Sequence, residues 1–191
     1  ASDIMFTPNC VDCAEIGEGV NLGLTINLDN LSVLEKFGKK YGASQACCIR
    51  LNPHILAGGN YKISTGHGNS KFGISIYQLP NIMETVQRYQ MRIEGLHIHT
   101  GSEITETEVF LKMAEILFGV ARDFPQLRFI DFGSGYKVAY KEGDLTTNVF
   151  DLGLKLGKAF KEFYHQYGRK LELWLEPGKY LVSEAGYLLT T

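Results

Sequence analysis

The sequence predicts an α/β protein of repeated strand–helix units, arranged either as a closed TIM-type (β/α)8 barrel or as an open doubly wound sheet. Three observations lead there. Short apolar runs rich in β-branched and aromatic residues alternate with longer segments whose apolar residues fall three and four apart. Those longer segments carry a single apolar stripe, as helices lying on a sheet do. Each conspicuous polar or glycine-rich cluster follows the C-terminal end of an apolar run, where both architectures bind ligands.

Taken in order, the predicted strands cover residues 4–7, 24–28, 45–51, 92–99, 127–132 and 171–175. Helical spacing predicts helices over 30–41, 79–89, 105–124 and 149–167, the second beginning after a proline-containing turn. Asp29 or Asn30 before Leu31, and Thr105 with Glu108 three positions on, supply the side-chain acceptors that a helix start needs. Residues 180–191 read as a further extended run without a helix, the opening of a second, β-rich domain after a first domain of residues 1–179.

The chain has 191 residues, 45% hydrophobic and 12% aromatic, enough for one sizeable core. Its 19 basic and 21 acidic residues are interspersed and leave a net charge of −2, so no basic stripe points to nucleic acid and a small molecule is the expected partner. Adjacent Cys47 and Cys48 fall on opposite faces of a strand. Cys10 and Cys13 have zinc-pair spacing, but no second pair follows, and they read as incidental thiols. No run of about 18 apolar residues and no charged-then-apolar leader occurs, so a reducing cytoplasm is the expected setting and no membrane partner is expected.

Four motifs carry chemistry. Glu176-Pro177-Gly178-Lys179-Tyr180 follows the last strand directly, so Glu176 stands at the strand's mouth and Pro177 stops the ladder. Asp131-Phe132-Gly133-Ser134-Gly135-Tyr136 ends another strand; glycines flanking a serine either serve the turn or aim several amides at one anion. His97 and His99 lie two apart on one strand face, with Gly101 and Ser102 beyond, suited to a metal, a ligand or a hydrogen-bonded core. Residues 64–73 form a polar glycine-rich loop in which Lys71 neighbours Phe72.

In this order, SKFGI, GLHIHTGSEI, DFGSGY and EPGKY resemble the alanine-racemase-like pyridoxal-phosphate enzymes, and within them the diaminopimelate decarboxylases. The opening FTPN, LDNL at 28–31 and ISTGH at 63–67 are similar to that family too. The resemblance implies an eight-stranded α/β barrel followed by a β domain, with the six strands as numbers three to eight. It implies pyridoxal 5'-phosphate as cofactor, an amino-acid substrate, decarboxylation of meso-diaminopimelate to lysine and carbon dioxide, and a homodimer in the full-length enzyme. By the same resemblance, His99 stacks on the cofactor ring and Ser102 contacts it near the phosphate. Gly133, Ser134 and Gly135 offer amides to the phosphate, and Glu176 faces the pyridine nitrogen. Lys179 stands where the family more often has arginine and is expected to bind cofactor or substrate as a point charge rather than a planar fork. Lys71 is expected near the subunit interface.

Three other readings share these residues: an ornithine or arginine decarboxylase or racemase of the same fold group, a metal-dependent hydrolase with His97 and His99 as ligands and Asp131 as base, and a non-catalytic module that binds a phosphate ligand. The resemblance also implies a cofactor-bearing lysine on a strand before Ile4 and a cysteine from a domain beyond Thr191. The chain alone, supplied with cofactor, is therefore expected to release no carbon dioxide from meso-diaminopimelate; measurable turnover would overturn that expectation.

Overall fold

The computed structural model describes residues 3–58, 64–186 and 189, so residues 59–63 of the glycine-rich stretch, including Ile63 of ISTGH, and residues 187, 188, 190 and 191 lie outside the described residues. The strands are β1 Met5–Phe6, β2 Thr25–Leu28, β3 Cys47–Asn52, β4 Ile74–Ser75, β5 Ile93–Ile98, β6 Phe129–Asp131 and β7 Glu172–Trp174. The helices are α1 Cys13–Asn21, α2 Leu31–Tyr41, α3 Leu79–Arg88, α4 Thr107–Ala121, α5 Val149–Tyr167 and α6 Gly178–Val182. The sheet runs β1-β2-β3-β5-β6-β7 with each neighbouring pair parallel, and β4 pairs with the end of β3. β1 and β7 are its edges, and Asp3 and Met5 line the same hollow of about 480 Å³ as Trp174 and Glu176. The sheet thus curls toward a barrel without closing: a partial TIM-type barrel with helices outside.

β2 and β3 are buried on every residue, as strands covered on both faces must be. Outside them, Leu34 and Phe37 of α2, Ile82 of α3 and Met113 and Leu117 of α4 complete the core. Asn30 caps α2 by accepting from the amides of Ser32 and Val33, as expected. α4 differs from expectation. It starts at Thr107 after Glu106, which makes no side-chain cap bond, so the Thr105–Glu108 pair does not cap the helix.

Three further elements depart from the sequence expectation. α1 was not foreseen, because Gly17 and Gly19 weaken its helical pattern. Asp12 nevertheless caps it from Oδ1 at 2.8 Å and 2.9 Å. Gly19 lets α1 close on the sheet, since a Cβ there would come within 3.1 Å of Ile26 and Phe6 side-chain carbons. β4 is only two residues long, too short for a periodic signal. Residues 180–182, expected to be extended, complete the short helix α6, which starts at Gly178 directly after Pro177.

Beside the β7 edge of the sheet, Phe129 of β6 is fully buried and stacks on Trp174 of β7, with ring centroids 3.7 Å apart and planes within 4°. Gly95 of β5 makes room for it: a Cβ there would fall 2.3 Å from the Phe129 ring. Gly95→Ala is expected to cost about 1–3 kcal/mol through overpacking. Gly119→Ala in α4, whose Cβ would meet nothing within 4 Å, is expected to be neutral or to add up to about 1 kcal/mol. Urea unfolding of both variants checks this, and a Gly95→Ala midpoint equal to the parent's would mean the ring is free to move aside.

Candidate active site

The strand register builds a polar layer inside the sheet. Arg50 of β3 lies opposite His97 of β5, which lies opposite Asp131 of β6. Such side chains point into the space enclosed by a barrel's strands. Arg50 is 8% exposed, His97 2% and Asp131 1%. Asn27 of β2, fully buried, reaches the same layer: its Nδ2 lies 2.8 Å from His97 Nδ1 and donates to Thr7 Oγ1 at 3.0 Å. Glu176, just past β7, brings Oε2 to 3.4 Å from His97 Nε2.

One ligating atom from each of His97, Asp131 and Glu176 lies within 4.8 Å of the other two. His99, named as a ligand in the hydrolase reading, is not in that group: its Nδ1 accepts from the Ser134 amide at 3.3 Å. Among the described residues, Asn27 Oδ1, Arg50 Nε, His97 Nε2 and Asp131 Oδ2 are buried without a hydrogen-bond partner. The 3.4 Å contact of His97 with Glu176 satisfies distance but not hydrogen-bond alignment. So many unpaired polar atoms under one strand mouth fit a polar ligand seated above them.

Glu176 is pinned through its backbone, whose amide donates to Gly133 O at 2.7 Å. The glycine turn approaches β5 closely. Gly133 has φ +58 and a Cβ there would fall 2.8 Å from Ile98 O and His99 Nδ1; Gly135 has φ +117 and its Cβ would fall 2.5 Å from Gly101 O. Two of the three amides expected to meet phosphate are engaged within the protein: Gly133 N donates to Asp131 Oδ1 at 2.8 Å, and Ser134 N to His99.

Beside this turn stands an ion cluster that sequence reasoning missed. Lys179 Nζ donates to Ser102 Oγ at 2.8 Å and pairs with Glu103, which also binds Lys137 at 2.5 Å and accepts from the Tyr140 hydroxyl at 3.3 Å. Glu103 holds a left-handed φ of 62°, unusual for a residue with a Cβ. Burial opposes the Lys179 charge, but Glu103 and Tyr140 outweigh it and raise its pKa. Lys71 is exposed, with Nζ 5.1 Å from the Phe72 ring centre and 4.0 Å from Cys10 Sγ. Polar Asn27 and charged Arg50 in the middle of mainly apolar strands were the signal that could have found the layer's other members.

Electrostatics divide the carboxylates. Burial first, then the neighbouring Glu176 charge, push Asp131 up to about 6 against the pull of His97. Glu176 is held below the usual range, first by His97 and then by the neighbouring His99 ring and Arg50 charge, against its own burial. Burial, followed by Arg50 and His97, brings His99 down to about 4, so its ring is neutral at neutral pH.

Residues 1–183 match the model of the pyridoxal-dependent decarboxylases, pyridoxal binding domain. The diaminopimelate decarboxylase of Methanothermobacter thermautotrophicus is 30% identical over 193 residues, covering 98% of this chain and 45% of that protein. The Escherichia coli K12 enzyme of the same name is 27% identical over 188 residues, covering 98% and 44%. The crystal structure of diaminopimelate decarboxylase from Helicobacter pylori complexed with L-lysine superposes with a TM-score of 0.80 at 25% identity, covering 96% of this chain and 47% of that one. The chain spans less than half the length of these relatives.

His99 and Asp131 shift in ways that cancel in the pH dependence of stability. Between about pH 5 and 6, unfolding takes up a proton at His99, whose native value is about 4 against 6.5, and releases one at Asp131, whose native value is about 6 against 3.8. His99 alone makes stability rise with pH there, and Asp131 alone makes it fall. Asp131→Asn should therefore tilt the profile upward with pH, and His99→Asn downward, each by about 1 kcal/mol per pH unit relative to the parent. Urea unfolding across that window measures it; parallel profiles for parent and variants would refute these shifts.

Proposed function

The chain belongs to the pyridoxal-dependent decarboxylases as their pyridoxal binding domain, and from that membership we propose that the whole protein decarboxylates meso-diaminopimelate to lysine and carbon dioxide. The names of its relatives support this substrate over ornithine or arginine. The observation that carries the reading is Glu176, an anion at the mouth of β7 beside the neutral His99 and the Ser102–Lys179 corner.

The cofactor is pyridoxal phosphate. When bound, it supplies an electron sink for the pair left on the substrate's α-carbon as carbon dioxide departs. Glu176 would face the ring nitrogen, where its negative charge favours the protonated ring by about 1 to 3 pKa units. His99, uncharged and held through Nδ1 by the Ser134 amide, would lie against the ring face without repelling the pyridinium. Ser102, Gly135 and Lys179 would receive the phosphate, with Gly133 and Ser134 shaping the turn. The Lys179 ammonium, already held by Ser102 and Glu103, would give this corner its positive charge and hold a substrate carboxylate less directionally than arginine's fork.

Two finer features belong to the same reading: a homodimer and a cytoplasmic setting. No helix among the described residues is long and apolar enough to cross a membrane.

In the full-length protein, Glu176→Gln is expected to lower kcat for meso-diaminopimelate at least tenfold, a loss matched to the ring-nitrogen shift it removes. Cofactor affinity should change less. Carbon dioxide release with meso-diaminopimelate, ornithine and arginine side by side checks both parts. Activity confined to ornithine or arginine would reassign the substrate, and an unchanged rate would remove the role given to Glu176.

A further inference from the structure

We propose that His97 is a positioning residue: clamped by Asn27, it presents its single ring N–H to the Glu176 carboxylate and so fixes the direction in which that carboxylate points. The part of this inference that concerns the cofactor rests on the ring-nitrogen role given to Glu176 above. The contact between His97 and Glu176 does not.

The Asn27 amide sets the roles of the two His97 ring nitrogens. Its Nδ2 lies 2.8 Å from His97 Nδ1 and donates to Thr7 Oγ1 at 3.0 Å, while Oδ1 is buried without a partner. Turning the amide over would bury both of its hydrogens where no acceptor stands, a costlier arrangement than one idle carbonyl oxygen. Nδ2 therefore donates, and His97 Nδ1 accepts. An imidazole whose Nδ1 accepts carries its hydrogen on Nε2.

That Nε2 is sealed from solvent, and the acceptors around it are carboxylate oxygens: Glu176 Oε2 at 3.4 Å, with Asp131 in the same 4.8 Å group. The Glu176 backbone is fixed by its bond to Gly133 O, yet its side chain is 40% exposed. Rotation of the carboxylate is thus the freedom left to remove, and a donor on Nε2 within 3.4 Å removes it once the carboxylate turns into line with it. The other titratable groups near Glu176 are Asp131, His99 and Arg50, and the Glu176 carboxyl is held low first by the His97 ring. The chain of contact runs Thr7, Asn27, His97, Glu176, linking the ends of four strands.

The test uses the full-length protein. Imidazole 15N spectra should show the His97 hydrogen on Nε2, and 13C titration of Glu176 should show its pKa rising in His97→Phe but staying low in His97→Gln, whose amide replaces the Nε2 donor. With meso-diaminopimelate, His97→Phe should lose roughly tenfold in kcat, the scale of one hydrogen bond to a charged group, with little change in KM. His97→Gln should recover most of that loss. Adding Glu176→Gln to His97→Phe should cost little more, since both act through one carboxylate. A hydrogen on Nδ1, or a Glu176 titration indifferent to His97→Phe, overturns the proposal. So does a rate lost with Glu176→Gln but kept with His97→Phe. If the spectroscopic results hold and neither substitution slows the enzyme, the contact stands and it is the ring-nitrogen role of Glu176 that fails.

Discussion

The alignment of Arg50, His97 and Asp131 across three parallel strands is the constraint on which the rest of the site depends. Side-chain direction in a strand has period two, so a one-residue slip of β5 against β3 or β6 would turn this layer outward and bring Leu96 and Ile98 in. The apolar residues on the opposite faces hold the register by packing under the helices. The buried polar atoms are the cost of that arrangement, and they come together where a ligand can satisfy them. Stability and binding thus make opposite demands on one row of residues, and the surrounding core absorbs the difference.

The loops beyond the strands follow from the same constraint. Residues 133–135 can approach β5 only because glycine tolerates both the positive φ and the absence of space for a Cβ. That approach lets the backbone position Glu176 through Gly133 O and His99 through the Ser134 amide. A turn expected to cradle phosphate is in part a brace that holds the Glu176 backbone and the His99 ring. The positive charge beside this turn comes from side chains, with Glu103 keeping two lysines close together.

Much of the fold was legible in the sequence, because six of the strands lie in short runs rich in apolar, β-branched and aromatic residues and four of the helices carry an apolar stripe at helical spacing. α1 was hidden by its two glycines, which matter for its packing and obscure its propensity, although Asp12 marked its start. β4 was too short to show alternation. The site was legible in part: Glu176, His99, Ser102, Lys179 and the glycine turn are marked by unusual residues at strand ends. Asn27, Arg50 and the Glu103–Lys137 pair were not found, since their importance lies in strand register and loop approach, neither of which is local in the chain. The role of His97 depends on an amide seventy residues away, a distance over which no spacing rule operates.

Trp174 is the chain's single tryptophan. It stacks on Phe129, bonds to Glu172 through its indole nitrogen at 3.0 Å, and lies two residues before Glu176 on an edge strand. Its emission therefore reports on one place, the last strand at the mouth of the site, without contributions from elsewhere. A bound pyridine chromophore absorbing in the near ultraviolet would accept that emission by energy transfer, so occupancy of the site and fraying of the sheet edge give separable optical signals: quenching in the first case, a red shift in the second.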